Sequence, residues 1–286
     1  MKLATFDDLR PGLVVGDDVY DLVPLLPGWR PEDPAAVHGF LAAADSLRPA
    51  IEALVARTDP QSLSAVTLRA PSPLPGQVLA APLNFQAHRD EMTGPLTAGS
   101  GTANELGFFL KSSRSVSDPV DPVLLPDMPG RRFDFEAEVA VVIGRTARGV
   151  SPEDALDHVL GYTLVLDMTL RMTETERQER TQRKSYATFT PMGPWITTAD
   201  EVPDPSAITL RAWRNDELRQ EATLKDLIVD VPELVSRASH VLPLEPGDVY
   251  ATGSPAGVGQ VQAGDVIRVE SPMLGSLVVS VETRPW

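Results

Sequence analysis

The sequence predicts a β-rich α+β fold, and three observations predict it. The first is a strict alternation of apolar and other residues from Phe133 to Gly144, the period-two signature of a strand. The second is the presence of 27 prolines in 286 residues, many in short connections, which favours turns and short strands over a helical bundle. The third is that long helical periodicity marks few segments, chiefly those opened by Asp33-Pro34 and by Asp230-Val-Pro-Glu233.

In chain order, residues 1–25 read as short strands, with Leu13–Leu22 folding back at Gly16-Asp17 as a hairpin. After Asp33-Pro34, Val37, Phe40, Leu41, Ala44, Leu47, Ile51, Leu54 and Val55 recur at helical spacing, and Pro49 is expected to break or kink that helix. Residues 59–76 are polar and Pro-rich. They place a boundary between a small N-terminal α+β domain, 1–75, and a larger domain, 76–286. Val78–Pro82 reads as a strand, Asn84–Glu91 as a helical turn, 93–105 as a Gly-, Thr- and Ser-rich loop, and Phe108–Lys111 as a short strand. Ser151-Pro-Glu-Asp154 offers a cap, a first-turn proline and a capping-box partner. It predicts a helix burying Ala155, Leu156, Val159 and Leu160 and ending at Gly161. Tyr162–Asp167 is an apolar strand tipped by a carboxylate. Residues 171–184 fit either a solvated helix or a mobile segment over a site, and Ser185–Trp195 fits irregular chain lining a pocket. Ile208–Trp213 and Leu218–Ala222 form a hairpin, Asp230 caps a helix to about Val241, and Leu244–Gly259 runs from strand into a Gly-rich loop that lacks the P-loop pattern. Closing strands occupy 264–270 and 277–281.

Composition narrows the function. The net charge of −15 argues against binding nucleic acid or an anionic membrane through bulk charge, while leaving room for an anionic substrate at a metal. The absence of cysteine excludes disulfides, thiolate nucleophiles and Cys-based metal sites. No run of about 18 apolar residues and no secretion-type leader is evident, so a cytoplasmic location is the expectation.

The chemistry concentrates on the alternating stretch. Glu136 and Glu138 point the same way, with Cα atoms about 6.6 Å apart at ~3.3 Å per residue. A solvated strand face would tolerate them. However, Glu is disfavoured in strands, and the same face turns apolar at Ala140 and Val142, so part of it is covered. Covered carboxylates need partners. Asp167 fits either a loop cap or a third ligand. His88 and Glu91, three apart on a helical turn, fit either a surface pair or an imidazole oriented as a general base.

These motifs resemble, in order, those of the fumarylacetoacetate hydrolase family: Asn84–Glu91, Phe109–Lys111, Asp134–Gly144, Gly161–Asp167, Lys184–Trp195 and Leu244–Gly259. The likeness is strong over about 78–281 and looser over 1–60. It implies a mixed β-sandwich roll and a homodimer. It also implies Mg²⁺ or Mn²⁺, or Ca²⁺ in some members, on Glu136, Glu138 and Asp167. Catalytic roles are implied for His88, Glu91 and Lys184, and substrate contacts for Arg171, Ser254, Thr252, Tyr186 and Phe85. The sequence departs from the pattern at Met172, at Glu174 in place of a neutral amide, at Lys111-Ser-Ser-Arg114 in place of Lys-Pro-Pro-Ser, and in a short 167–184 segment.

The expected activity is metal-dependent hydrolysis of a C–C bond in an acylpyruvate or β-diketo acid from aromatic catabolism. Three carboxylates without His or Cys suit a hard cation, a 1,3-dicarbonyl chelates it through two oxygens, and Lys184 adds positive charge for the departing enolate. Decarboxylation, isomerisation or hydration through the same enolate is the second reading, and a non-catalytic binding relative the third. The joint presence of His88, Glu91 and Lys184 speaks against the third. The partner is a small anionic keto acid. A lid over 84–105, hinged at glycines 94, 99, 101 and 107, is expected to close His88 over the site.

Overall fold

The computed structural model describes residues 1–91, 101–173 and 179–284. In chain order the elements are β1 (Lys2–Phe6), β2 (Arg10–Val15), β3 (Asp18–Asp21), α1 (Pro34–Val55), β4 (Gln61–Ser62), β5 (Leu68–Arg69), β6 (Val78–Ala80), α2 (Gln86–Glu91), α3 (Ala103–Leu106), β7 (Phe109–Lys111), β8 (Val116–Ser117) and β9 (Val123–Pro126). There follow β10 (Phe133–Phe135), β11 (Ala137–Ile143), β12 (Val159–Leu166), β13 (Thr169–Leu170), α4 (Arg180–Lys184), β14 (Thr190–Thr198), β15 (Thr209–Arg214), β16 (Glu217–Thr223), α5 (Val231–Val241), β17 (Val249–Ala251), β18 (Gly259–Val261), β19 (Val266–Ser271) and β20 (Gly275–Arg284). The fold is β-rich with few helices, as the sequence predicts.

Among the described residues a twelve-stranded sheet runs β4-β3-β2-β1-β14-β12-β11-β17-β6-β7, with β5 and β8 attached to β1 and β14. It crosses position 75, because β1 pairs with β14. A five-stranded sheet, β16-β15-β19-β20-β9, and a three-stranded sheet, β13-β10-β18, complete the roll. The main core lies between sheets, where Val139, Val141 and Ile143 of β11 meet Ile267, Val269, Leu277 and Val279. The opposite face of β11 is covered too. Val142 packs with Leu160 and Ile196 under Val37, Phe40 and Leu41 of α1, and Ala140 packs with Val165, Met192 and Ala251.

The structure corrects four expectations. Phe133–Gly144 is not one strand with one buried face. It breaks at Glu136 into β10 and β11, which belong to different sheets, and every residue of both strands is buried. Pro49 does not end α1. Its cost of about 3 kcal/mol is outweighed beyond it by the buried Ile51 and Leu54, each worth about 1.5–3 kcal/mol. The 151–160 pattern yields only a short 3₁₀ turn, Ala155–His158, and Val159 and Leu160 enter β12. Pairing along β11, from Ile143↔Val159 to Ala137↔Leu166, overrides the local helix signal. Finally, Thr190–Trp195 lies within strand β14 rather than in open loop, paired with β8 and β12, and keeps an irregularity where the β12 pairing slips between Gly193 and Thr197. Of 171–184 the described part is helical only over α4, and residues 174–178, with Glu174, lie outside the described residues. The expected lid is described only in part, since 92–100, with Gly94 and Gly99, lie outside as well.

Other elements form as their residues dictate. Gly16, at φ 61°, turns β2 into β3. Asp33 caps α1 by accepting from the Ala35 amide at 3.0 Å, and Asp230 caps α5 by accepting from the Glu233 amide at 2.9 Å, each worth about 1 kcal/mol.

One close approach sets a fold prediction. A Cβ on Gly161 in β12 would lie 2.2 Å from the Thr197 carbonyl oxygen of β14. Gly161→Ala should therefore lower the urea midpoint by the equivalent of about 1–3 kcal/mol. Gly39→Ala, exposed in α1 with open space around it, should raise it by about 0.5–1 kcal/mol. An unshifted Gly161→Ala midpoint would show that the two strands do not approach so closely.

Candidate active site

Several elements meet at one cavity of about 560 Å³. The β10–β11 break delivers Asp134, Glu136 and Glu138, and the end of β12 delivers Asp167. Residues just past β13 deliver Arg171, α4 delivers Arg180, Arg183 and Lys184, and α2 delivers His88 and Glu91. Ser254 and Val258 enter from the loop after β17.

The three expected ligands come together. Carboxylate oxygens of Glu136, Glu138 and Asp167 lie within 4.8 Å of one another, and the three residues are 2–5% exposed. Glu136 stands at the break between β10 and β11, and Glu138, two residues on in β11, lines the same cavity. Pairing then brings in Asp167, whose amide donates to the Glu136 carbonyl at 2.8 Å, next to the Ala137↔Leu166 register.

So dense a cluster is held by cations. Lys184 Nζ donates to Glu136 Oε2 at 2.7 Å, Asp167 Oδ2 at 2.5 Å and Thr169 Oγ1 at 2.8 Å. Lys111 Nζ donates to Asp167 Oδ1 at 2.6 Å and to the Phe189 carbonyl at 2.8 Å. Arg171 reaches Asp134 Oδ2 and Glu136 Oε1, both at 2.7 Å. Arg132 grips Asp134 with two bonds of 2.7 and 2.9 Å. Among the described residues Glu138 has no ion pair. It accepts the Gly253 amide at 2.6 Å.

The electrostatics follow. Burial would push Glu136 up, but Lys184, Arg171 and His88 together hold it well below the ordinary carboxylate range. Glu138 is pushed well above that range by burial and by the neighbouring Asp167 and Glu136. Glu138 alone of these four carboxylates has no ion pair among the described residues, and the ligand atoms that the triad offers are all oxygen. A hard divalent cation on Glu136, Glu138 and Asp167 fits this set. Burial lowers Lys111 below its ordinary value, against the pull of Asp167.

His88 is buried, and its Nδ1 faces Glu91 Oε2 at 3.2 Å. Glu91 is held below the usual range, first by that bond, and it accepts the Gly257 amide at 3.1 and 3.2 Å. With Nδ1 committed to a carboxylate, Nε2 is the nitrogen left to accept a proton.

Of the expected substrate contacts, Arg171 and Ser254 line the cavity. Phe85, Tyr186 and Thr252 do not. Phe85 sits in the main core and bridges to Leu227, Tyr186 packs on Phe189 with ring centroids 5.1 Å apart, and Thr252 Oγ1 donates to the Val139 carbonyl at 2.9 Å. The sequence reading missed Lys111, Asp134, Arg132, Arg183 and Gln220. Gln220, 1% exposed, donates to Ser254 Oγ and the Pro255 carbonyl, each at 2.8 Å, and accepts the Ala137 amide at 2.9 Å. It thus ties the carboxylate strand to the loop. The signals available were faint: Asp134 shares the alternating face of Glu136, and Lys111 tips an apolar strand as Asp167 does.

Comparison with known proteins supplies context. Residues 77–282 match the model described as fumarylacetoacetate (FAA) hydrolase C-terminal. A maleylpyruvate hydrolase of Aquipseudomonas alcaligenes is 36% identical over 299 aligned positions, covering 99% of this chain and 100% of the relative. A mitochondrial oxaloacetate tautomerase of Xenopus laevis is 32% identical over 262 positions, covering 88% and 80%. The crystal structure of a maleylpyruvate hydrolase from Sphingobium sp. SYK-6, in complex with manganese(II) and pyruvate, superposes with a TM-score of 0.86 at 40% identity, covering 99% of each chain.

If the triad holds the cation, Glu138→Gln should weaken Mn²⁺ binding by at least about 10²-fold, because a neutral amide cannot offset the ion's dehydration. Calorimetric titration showing unchanged affinity would remove the site from these residues.

Proposed function

The chain belongs to the fumarylacetoacetate hydrolase family, and on that premise we propose that it hydrolyses a maleylpyruvate-like acylpyruvate, with Glu136, Glu138 and Asp167 as ligands of a manganese-class cation. It is a metal-dependent hydrolase of a C–C bond in an acylpyruvate or β-diketo acid, of the kind met in aromatic catabolism. One observation carries the assignment of roles: a carboxylate-oriented imidazole lines the same cavity as the three clustered carboxylates and Lys184.

A divalent cation on the triad would supply Lewis acidity toward the keto-acid oxygens. His88 takes a proton from water at Nε2 while Glu91 holds Nδ1–H and stabilises the imidazolium. Hydroxide adds to the acyl carbonyl, the bond to the methylene breaks, and its electron pair leaves as the pyruvate enolate. Lys184, already between two carboxylates, carries positive charge toward that enolate. The proton held by His88 returns to the leaving carbon. One water and one acylpyruvate thus give a carboxylic acid and pyruvate.

The proposal extends to a homodimeric, cytoplasmic enzyme. Its substrate is a small soluble anion, and large apolar side chains such as Val120 (55% exposed) and Val241 (72%) remain on the single chain for a second copy to cover.

His88→Ala should lower kcat by about 10²–10⁴-fold while Mn²⁺ binding persists. Glu91→Ala should cost a similar factor, and the double variant little more, since the pair acts as one unit. Tautomerisation, the activity named for the Xenopus relative, needs no activated water. Hydrolysis within about threefold of wild type in His88→Ala, well short of the general-base range, would therefore move the reading to that enolate chemistry.

A further inference from the structure

β16 is the edge strand of the five-stranded sheet, and every residue in it except Gln220 is at least partly exposed. The strand leaves Leu218 46% exposed while it buries an amide. Packing alone would favour the reverse. The Gln220 stem lies against Gly257, where an added Cβ would come within 3.3 Å of Cγ, so the amide has little room to turn.

Its hydrogen bonds have a direction. Oε1 accepts the Ala137 amide at 2.9 Å, and a backbone N–H can only donate, so that bond fixes which end of the side chain is oxygen. Nε2 then spends its two hydrogens on Ser254 Oγ and the Pro255 carbonyl, each at 2.8 Å. The consequence falls on Ser254. Its oxygen accepts from a nitrogen that cannot accept in return, so its one hydrogen must go elsewhere. The Pro255 carbonyl is 3.4 Å away, past the ordinary O–H···O range of about 2.5–3.0 Å, and already takes a Gln220 hydrogen. Ser254 lines the cavity and is 3% exposed. Its hydrogen is left for an acceptor inside that cavity.

We propose that Gln220 is a positioning residue for ligand binding: by occupying the Ser254 oxygen, it obliges that hydroxyl to donate to an anionic oxygen of the bound keto acid. The identity of the acceptor rests on the acylpyruvate reading above. Gln220 is not among the residues that line the cavity, so it acts through Ser254 alone.

The test measures binding rather than turnover, by calorimetric titration of the Mn²⁺-loaded protein with pyruvate. Ser254→Ala should weaken pyruvate binding by about ten- to hundredfold, the loss of a hydrogen bond to a charged group. Gln220→Met, of similar length, should weaken it by about three- to tenfold, because the released hydroxyl turns to the Pro255 carbonyl part of the time. Mn²⁺ affinity should be unchanged in both. Adding Gln220→Met to Ser254→Ala should cost nothing further, since the first acts only through the second. Should Gln220→Met not fold, Gln220→Ala, whose vacated space admits water to the Ala137 amide, carries the same expectations. Pyruvate affinity untouched by the Gln220 substitution, an equal loss when Ser254 is already replaced, or Mn²⁺ affinity falling in step would each make Gln220 a structural tie and overturn the assignment. Wild type that binds no pyruvate would overturn it too. Wild type that gives the expected pattern but hydrolyses no acylpyruvate would sink the hydrolase reading and leave the Gln220–Ser254 assignment standing.

Discussion

Like-charge crowding is the constraint on which this architecture depends. Asp134, Glu136, Glu138 and Asp167 are all at most 5% exposed, and carboxylates so placed cannot all stay ionised without compensation. Lysines and arginines come from far along the chain to meet them, Lys111 from 56 residues before Asp167 and Arg171 from 37 after Asp134. The strand ends, the α4 turn and the β13 exit are placed where those contacts need them. Glu138 alone lacks an ion pair among the described residues and accepts the Gly253 amide instead.

The break at Glu136 makes this geometry. Passing the chain from the three-stranded sheet to the twelve-stranded sheet at that residue opens a corner. The same strand then closes behind it, with α1 covering Val142 and the main core covering Val139 and Val141. The acidic corner is therefore the only polar part of an otherwise apolar strand pair.

Local pattern carried a good part of this. The hairpin at Gly16, the capped α1 and α5, the Glu136–Glu138 pair and the His88–Glu91 spacing were legible because each depends on residues a few positions apart. What was not legible depends on pairing across the chain. Val159 and Leu160 fit a helix face as well as a strand, and only β11 decides between them. Lys111 looks like the polar end of an exposed strand until Asp167 arrives beside it. Gln220 lies in a hairpin with no local mark, and its role arises from the Ala137 amide and the Ser254 hydroxyl meeting its two ends. Thr252 shows the converse: a hydroxyl in a motif that looks poised for ligand is spent on a backbone carbonyl.

The loop after β17 holds two carboxylates by amides four residues apart, Gly253 on Glu138 and Gly257 on Glu91. One of those carboxylates belongs to the cation cluster and the other orients the imidazole. Gly257 cannot shift to suit a side chain of its own, since a Cβ there would lie 1.8 Å from the Arg219 carbonyl oxygen. The loop thus joins the carboxylate cluster at one end to α2 at the other. Were a cation to bind the cluster, thermodynamic reciprocity would follow: whatever α2 contributed to holding it, the cation would return in equal measure to holding α2.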